Sequence, residues 1–294
     1  MRGYVNYMQR HKKSIRENVN IDYLMMHGAG NRIMVVDRRN GETNAPSVDQ
    51  LRRLGDRATG PGFDQLMWVM PASDSSMDAS YRVFNADGSE VGQCGNGVRC
   101  VVRVLARGSA DQHEFRLEGP AGIVEARVLP DDRVCVSMGP PEFEPANIPF
   151  IADSRSDSYL LDVGGAEHDV CVLSMGNPHC VLPVAAVDTA NVGGLGPAIE
   201  THDRFPARTN VGFMAIRGRD AIDLRVHERG VGETLACGTG ACAAVVAGQL
   251  LGYLGHDVTV SLPGGKLVVS WRGAADSVWL TGNAEFVSEE SIDL

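Results

Sequence analysis

Two stretches of this chain share one pattern, and that pattern decides how the fold is interpreted. Glu90-Val-Gly-Gln-Cys-Gly-Asn-Gly97 and Glu233-Thr-Leu-Ala-Cys-Gly-Thr-Gly240 both contain Glu, three residues, Cys, Gly, one residue and Gly, and each precedes an apolar run with helical spacing. Their cysteines, Cys94 and Cys237, lie 143 residues apart in a chain of 294. Self-similarity at a fixed offset is typical of repeated structural units.

Two weaker matches keep the same order and nearly the same offset. Gly30-Asn31 corresponds to Gly176-Asn177, whose asparagines are 146 residues apart, and the amides Gln65 and Asn210 precede the two cysteines by 29 and 27 residues. Together the matches predict two pseudo-equivalent halves that meet near Gly139-Pro140-Pro141. The polar residues 1–22 are expected to form an N-terminal extension.

The segments between these motifs favour an α+β fold. Ile222, Leu224 and Val226 alternate with polar residues, which predicts a half-buried strand, and residues 258–262 and 266–271 show the same alternation. Residues 122–129 and 133–138 predict a hairpin with a polar turn. Helices are predicted after Cys94, after Cys237 as far as a terminating Gly252, and over about residues 47–54.

Composition excludes several classes of protein. With 44% hydrophobic and 22% charged residues, the chain has the composition of a soluble globular protein. Its formal charge of −10, without a basic run, argues against nucleic acid as a partner and favours a small-molecule substrate. No apolar run approaches the roughly 18 residues of a membrane span. Seven cysteines without a secretion-type N-terminus indicate reduced thiols and a cytoplasmic location.

A cysteine at the start of a buried helix has a chemical use. The helix N-terminus offers unpaired N–H groups and partial positive charge, and the glycines allow a ligand to approach the backbone closely. We therefore expect a thiol pKa lowered from about 8.5 toward neutrality, and the same N–H groups suit a substrate carboxylate. The cysteine spacings do not fit zinc knuckles, so no metal is expected, and the other five cysteines are interpreted as core residues.

Two activated cysteines, one from each half, suit the inversion of a carbon next to a carboxylate. One base removes a proton from one face while the second returns a proton to the other face. Pyridoxal phosphate would stabilise the carbanion but needs a lysine, and the chain has only Lys12, Lys13 and Lys266, none of them in a recognisable context. The sequence therefore favours an enzyme without a cofactor, with the carbanion stabilised by the helix N-termini.

At these residues the sequence resembles the diaminopimelate epimerase family, the cofactor-independent two-cysteine isomerases of bacterial lysine and peptidoglycan precursor synthesis. The resemblance covers the chain from about residue 23 to its end, and its matching strings, in order, are His27-Gly-Ala-Gly-Asn31, Phe63-Asp-Gln65, Phe84-Asn-Ala-Asp-Gly-Ser-Glu90, Gln93-Cys-Gly-Asn-Gly-Val-Arg-Cys100, Met175-Gly-Asn-Pro-His179, Arg208-Thr-Asn210, Glu228-Arg-Gly-Val-Gly-Glu-Thr234 and Ala236-Cys-Gly-Thr-Gly240.

The resemblance implies two halves, each a mixed sheet wrapped around a central helix, with the active site in the cleft between them. It implies that Cys94 and Cys237 are the acid/base pair, that His179 assists Cys94 and that Glu228 assists Cys237. It also implies a set of substrate-binding residues, with the amide side chains and the arginine on the non-reacting end of the substrate: Asn31, Gln65, Asn85, Gly95, Asn96, Asn177, Asn210, Glu228, Arg229, Gly238 and Thr239. A homodimer is common in the family and is a further expectation.

The same resemblance predicts how the halves divide the chain. Because the C-terminal strand commonly returns to the first half, residues 23–139 with about 283–294 are expected to form one half and residues 140–282 the other. Three residues depart from the family pattern: Arg32 and Ile33 follow the first asparagine, where aspartate and a large apolar residue are usual, and His227 replaces an aromatic residue before the Glu-Arg pair. Arg32 puts charge near the expected pocket for the distal end of the substrate.

Three other interpretations remain open on the sequence. A proline racemase or hydroxyproline epimerase belongs to the same two-cysteine class, but carries histidine in place of Asn96. A phenazine-synthesis-type isomerase lacks the paired cysteines. A small-molecule binding protein with the same cleft would bind ligand without exchanging the α-hydrogen.

Overall fold

The computed structural model describes residues 20–41, 43–92, 94–109, 111–273 and 276–294. The N-terminal extension expected for residues 1–22 lies outside the described residues except for its last three, which already belong to the first strand.

The described residues of the first half of the chain form eight strands and two helices. In chain order they are β1 (Asn20–Gly28), β2 (Asn31–Asp37), α1 (Val48–Gly55), β3 (Gln65–Met70), β4 (Ala79–Asn85), β5 (Glu90–Val91), α2 (Gly95–Arg107), β6 (Glu114–Gly119), β7 (Gly122–Val128) and β8 (Val134–Ser137). The predicted hairpin is β7 and β8, which pair antiparallel, and the left-handed residue Asp132 lies in the turn between them.

In the second half of the chain, ten strands and two helices lie within the described residues. They are β9 (Tyr159–Val163), β10 (Ala166–Ser174), β11 (Pro178–Pro183), α3 (Val192–Glu200), β12 (Asn210–Gly218), β13 (Ala221–Glu228), β14 (Gly232–Thr234), α4 (Gly238–Leu250), β15 (Asp257–Leu262), β16 (Gly265–Ser270), β17 (Trp279–Gly282) and β18 (Glu285–Asp293).

The order and pairing of β1–β8 recur in β10–β17. The pairs β2–β3 and β11–β12 are parallel, β3–β4 and β12–β13 are antiparallel, and β4–β6 and β13–β15 are parallel. The halves join where β8 pairs antiparallel with β17. The predicted α+β fold in two similar halves is therefore confirmed.

Each half has a strand outside this repeat. β9 pairs antiparallel with β10, and β18 pairs antiparallel with β1 from Asn20 opposite Asp293 to His27 opposite Glu285. The last strand of the chain thus completes the sheet of the first half. This pairing supports a division into residues 23–139 with 283–294 and residues 140–282, which we propose as the two structural halves.

A central helix fills each half. α2 packs against β1, β2, β3, β7 and β8, and α4 against β10 to β13, β15 and β16. Residues Gly240–Gly248 of α4 are buried on all sides, as expected for an apolar helix that a sheet surrounds. α2 and α4 also contact each other, and one hydrophobic cluster includes both helices. The fold therefore brings the starts of two buried helices toward one region.

One helix of the described residues was not predicted. The segment Val192–Glu200 of α3 contains Gly193, Gly194, Gly196 and Pro197, all poor helix formers. α3 forms because Asn191 caps it, with its side chain accepting a hydrogen bond from the Gly194 N–H at 3.0 Å, and because Val192 and Ile199 pack into a hydrophobic cluster of the second half. Tertiary packing here outweighs intrinsic propensity.

Candidate active site

Cys94 and Cys237 are the N-cap residues of α2 and α4. Both have extended backbone conformations, with φ of −149° and −129°. The Sγ atom of Cys94 accepts a hydrogen bond from the Gly97 N–H at 3.1 Å. A Cβ atom on Gly97 would lie 3.2 Å from that sulfur, and one on Gly240 would lie 3.3 Å from the sulfur of Cys237. The second glycine of each motif therefore leaves space for the sulfur.

The starts of the two helices meet. A Cβ atom built on Gly238 would lie 4.0 Å from the Cα atom of Gly95 and 3.8 Å from Oδ1 of Asn96. Cβ atoms on Gly95 and Gly238 would lie 2.9 and 3.1 Å from the same methyl carbon, Cδ2 of the fully buried Leu280 on β17. Each cysteine is thus followed by a glycine because the two backbones approach each other over one leucine side chain.

Burial controls the ionisation of both cysteines. Burial raises the pKa of the Cys94 thiol to about 11, although the Gly97 N–H and the charge of Arg99 act in the opposite direction. Burial also raises the pKa of Cys237 well above its usual value, and the Glu228 carboxylate raises it further. The expectation of thiol pKa values near neutrality is therefore wrong, because desolvation outweighs the stabilisation offered by the helix N-terminus.

Glu228 is the carboxylate that both cysteines share. Its charge raises the pKa of Cys94 and of Cys237, so it lies near both thiols, and it accepts a hydrogen bond from Cys237. The Thr234 hydroxyl donates a hydrogen bond to Oε1 of Glu228 at 2.5 Å. Glu228 is therefore placed to receive a proton from Cys237.

A set of side-chain amides surrounds Cys94. The thiol donates a hydrogen bond to Oε1 of Gln65, and Nε2 of Gln65 donates to Oδ1 of Asn85 at 3.3 Å. Nδ2 of Asn96 donates to Oδ1 of Asn31 at 2.8 Å. Gln65 begins β3 and Asn85 ends β4, where the two residues lie opposite each other. The ends of these strands and the first turn of α2 thus gather the first-half residues.

A second chain of hydrogen bonds leads to Cys237. Nε2 of His179 donates to Oδ1 of Asn177 at 3.0 Å, Nδ2 of Asn177 donates to the Thr239 hydroxyl at 3.3 Å, and that hydroxyl lies 3.5 Å from the sulfur of Cys237. Burial, with a smaller contribution from the charge of Arg229, lowers the pKa of His179 to about 3, so the imidazole is neutral. These bonds connect His179 to Cys237, whereas the resemblance assigned it to Cys94.

One side-chain amide and one backbone carbonyl hold Arg229. Its backbone N–H donates to Oδ1 of Asn210 at 3.0 Å, and Nη1 donates to the Ala207 carbonyl at 3.0 Å. Nδ2 of Asn210 donates to the Pro178 carbonyl at 2.9 Å, which ties β12 to the start of β11. The guanidinium lies on the exposed side of the site, yet its charge reaches the buried His179.

Arg32 does not place its charge among the amides. Nη2 of Arg32 donates to the Pro61 carbonyl at 3.2 Å, and its backbone N–H donates to Asp64 at 2.7 Å. The pKa of Glu290 on β18 is lowered mainly by the hydrogen bonds that it receives from Ser288 and Tyr23, and the charge of Arg32 lowers it by a smaller amount. The charge of Arg32, the residue that departs from the family pattern, therefore acts at the junction of β1 and β18.

Sequence reasoning gave no role to two polar residues within the motif strings, the buried Arg99 and the half-buried Thr234. Arg99 is fully buried, and Nη2 donates to Oδ1 of Asn96 at 2.8 Å, while its other described acceptors are the Gly95 and Asn283 carbonyls. Thr234 supports Glu228. Both residues lie inside the motif strings, and position within a motif was the one available signal. Among the described residues no group of three or more His, Cys, Asp or Glu is arranged to hold a metal ion.

Sequence comparison identifies the family. The profile of diaminopimelate epimerase matches residues 23–144 and 171–287. The chain belongs to the diaminopimelate epimerase family. It is 51% identical over 277 residues to the diaminopimelate epimerase of Laribacter hongkongensis (strain HLHK9), covering 93% of this chain and 99% of that protein. It is 49% identical over 273 residues to the diaminopimelate epimerase of Pseudomonas entomophila (strain L48), covering 92% and 99%.

The fold of this epimerase family member is shared more widely. The crystal structure of a hydroxyproline epimerase from Agrobacterium vitis superposes with a TM-score of 0.67 over 94% of this chain and 93% of that one, at 18% identity. Identity this low shows a common fold only. The fold therefore does not separate the two-cysteine alternatives, whereas the identity of about half to named diaminopimelate epimerases does. No helix among the described elements has the length and apolarity needed to cross a membrane.

Proposed function

We propose that this chain interconverts LL- and meso-diaminopimelate by a two-base mechanism, as a step in lysine and peptidoglycan precursor synthesis. The observation that carries the proposal is the meeting of two cysteine-capped helix starts beside one shared carboxylate, Glu228. The names of the two relatives at about 50% identity supply the substrate.

Cys94 and Cys237 are the acid/base pair of this mechanism. One cysteine, as a thiolate, removes the α-hydrogen of the substrate as a proton, and the electron pair of the broken C–H bond remains on the α-carbon and its carboxylate. The thiol of the other cysteine then gives its proton to the opposite face of that carbon. The two sulfurs have exchanged protonation states at the end, so the reverse reaction begins from the opposite state. Such positioned proton transfer contributes about 10²–10⁴-fold to a rate.

The helix starts stabilise the negative charge that develops. The first-turn N–H groups of α2 and α4 have no acceptor within their own helices, and at the start of each helix they suit the substrate carboxylate and the charge that develops on it. Because that region is largely buried, with Cys237 5% and Asn96 4% exposed, fixed dipoles act there with little screening by water. No bound cofactor is part of this proposal.

The raised thiol pKa values require a proton acceptor for the resting site. Glu228 accepts a hydrogen bond from Cys237, and the neutral His179, whose Nε2–H is used by Asn177, keeps Nδ1 as an acceptor. We assign Glu228 to Cys237 and retain His179 as a proton partner. The described hydrogen bonds favour the Cys237 side for His179 as well.

The remaining polar residues bind the substrate in this proposal. Amides and Arg229 hold the non-reacting amino-acid end, and backbone groups of the two motifs hold the reacting end. The proposed binding residues are Asn31, Gln65, Asn85, Gly95, Asn96, Asn177, Asn210, Glu228, Arg229, Gly238 and Thr239. A cytoplasmic location and a homodimer stay predictions, and sedimentation analysis of the purified protein tests the second.

Deuterium incorporation tests the reaction directly. Purified, reduced protein without added cofactor is incubated in D₂O with LL-diaminopimelate, meso-diaminopimelate or proline. We expect deuterium at the α-carbon of diaminopimelate together with formation of the other stereoisomer. Turnover of proline alone would assign the chain to the proline class, and binding without deuterium incorporation would indicate a binding protein.

A further inference from the structure

Glu200, on the last turn of α3, is a buried carboxylate outside the proposed active site. Its side chain is only 8% exposed. Oε2 lies 2.8 Å from Nε2 of His227 on β13, and Oε1 accepts a hydrogen bond from the Gly230 N–H at 2.9 Å. Nη1 of Arg208 also donates to Oε1, at 3.4 Å. His227 and Gly230 immediately enclose Glu228 and Arg229, so Glu200 contacts the chain on both sides of these two proposed site residues.

α3 is shaped to receive the His227 ring. A Cβ atom on Gly196 would lie 2.7 to 2.9 Å from three atoms of His227, closer than real Cβ contacts allow. Gly196 and Glu200 are four residues apart, so they share one face of the helix. The glycines that make α3 a poor helix by propensity thus include one that His227 requires. The His227 side chain is itself 8% exposed.

The first half of the molecule provides an internal comparison. Phe84 precedes Asn85 at the end of β4, and His227 precedes Glu228 in the same way at the end of β13. His227 follows Phe84 by 143 residues, the same offset that separates the two motif cysteines. Phe84 packs in an apolar cluster with Leu51 and Leu54 of α1. The fold therefore does not require a polar pair at this helix–strand contact. The second half differs in the next two residues of the chain, where the charged Glu228-Arg229 replaces Asn85-Ala86.

The Glu200–His227 pair lies at one end of the 228–230 turn, and the other end of this turn is also held by hydrogen bonds. Gly230 has a left-handed backbone with φ of +74°, and its N–H is bound to Glu200. The N–H of the preceding Arg229 is bound to Oδ1 of Asn210. Burial alone would raise the pKa of Glu200, but the hydrogen bonds from His227 and the Gly230 N–H outweigh it and hold the pKa below its usual value. Glu200 is therefore a charged acceptor for three donors, His227, the Gly230 N–H and, at the longer distance of 3.4 Å, Arg208.

We propose that Glu200 and His227 are positioning residues that hold the 228–230 turn so that Glu228 reaches Cys237 and Arg229 reaches the substrate. The inference rests on the proposed function, because it assigns a purpose to the geometry of that site. The position of Glu228 also determines the environment of the Cys237 thiol.

The first test compares the kinetics of E200A, E200Q, H227F and E233Q with those of the wild type on LL-diaminopimelate. E233Q is the matched control, because Glu233 lies on β14 of the same hairpin and pairs with Arg225 at 2.6 Å on the surface. Hydrogen bonds to charged groups contribute about 1.5–3 kcal/mol, so we expect E200A to raise KM by about tenfold or more. E200Q restores most of the loss, because its carbonyl accepts from Gly230 and its amide donates to the other tautomer of His227. H227F, which keeps a ring but no donor, behaves like E200A.

A purely structural role predicts a different result. Loss of folded enzyme lowers kcat per total protein and leaves KM unchanged. Unchanged KM in a folded E200A would overturn the proposal, as would an E233Q effect of equal size. If E200A fails to fold, the KM values of E200Q and H227F decide in the same way: a raised KM in H227F with little change in E200Q supports the proposal, and unchanged values in both overturn it.

The second test needs no substrate and separates this inference from the proposed function. Alkylation of Cys237 by iodoacetamide at fixed pH is followed by peptide mass spectrometry. Glu228 raises the pKa of Cys237, so a displacement of Glu228 in H227F and E200A increases the fraction of Cys237 that is thiolate. We therefore expect faster alkylation of Cys237 in these two variants than in the wild type and E233Q. Equal rates in all four proteins would overturn the inference even if the wild type is an active epimerase. If the wild type shows no epimerase activity but H227F and E200A are still alkylated faster than the wild type, the positioning role is supported although the proposed function fails.

Discussion

Each cysteine of the pair has a different immediate environment. Cys94 donates to a neutral amide, Gln65, and lies near the positive charge of Arg99, whereas Cys237 lies beside the negative charge of Glu228. Both thiols are protonated in the empty site because burial dominates. The motif predicts where the cysteines lie but not this outcome, since the sign of the pKa shift depends on the atoms that the fold packs around each sulfur.

Removing either sulfur tests the two-base account. We expect Cys94→Ala and Cys237→Ala each to abolish epimerisation, because one face of the α-carbon then has no acid or base. Cys135→Ala is the control, since Cys135 lies on β8 without a helix start, and it keeps activity. Activity is measured by stereoisomer conversion, and circular dichroism checks the fold. Substantial epimerisation by either single variant contradicts the mechanism.

The raised pKa of Cys94 predicts a specific pH profile. Alkylation requires the thiolate, whose fraction rises with pH and levels off only above the pKa, which is about 11 in the folded protein. The rate of Cys94 alkylation in substrate-free protein is therefore expected to be slow at neutral pH and still increasing at about pH 10. Peptide-resolved alkylation over a pH series measures it. A plateau near the ordinary thiol pKa of about 8.5 contradicts the burial argument.

At the level of helices and strands, some helices could be predicted from local sequence signals, whereas one forms because of tertiary packing. α2 and α4 were predictable because a cysteine followed by two spaced glycines begins an apolar run in both halves. A helix was also predicted over about residues 47–54, and in the structure Ser47 and Gln50 form a capping box at the start of α1. α3 was not predicted, since its glycines and proline oppose helix formation and its partners, such as His227, lie far along the chain. The binding of Gly230 to Glu200 was hidden for the same reason.

The capping box of α1 gives a stability prediction away from the site. Ser47 accepts from the Gln50 N–H at 3.4 Å, and Oε1 of Gln50 accepts from the Ser47 N–H at 2.8 Å. We expect Ser47→Ala to lower the free energy of unfolding by about 1 kcal/mol, measured by urea denaturation, with epimerase activity unchanged. Val48→Ala, at the exposed first helical position, serves as the comparison and changes stability less. An equal effect of the two substitutions would contradict the capping role.

Across the whole molecule, the repeat explains why one site draws on both halves. The two-half arrangement was predictable from the 143-residue offset, since repeated motifs imply repeated elements. How closely the helix starts approach each other was not, because it depends on Leu280 of β17 lying between Gly95 and Gly238. Sequence spacing therefore predicts the symmetry of the molecule, and tertiary packing determines the distances within it.

Convergence of the two halves predicts sensitivity to oxidation. A disulfide between Cys94 and Cys237 would join the two halves and remove both proposed bases. We expect activity to fall under non-reducing conditions and to return with dithiothreitol, while peptide mapping detects the cross-linked pair. Cys94→Ala, in which the bond cannot form, shows no such peptide. Activity that is stable for hours without reductant would contradict the proximity of the thiols.

The pairing of β18 with β1 affects the order in which the molecule is completed during synthesis. Residues 285–293 are synthesised after every strand of the second half, so the N-terminal sheet can gain its border strand only after the whole of the other sheet has been translated. A deletion of β18 therefore damages the sheet whose other strands are encoded at the opposite end of the sequence.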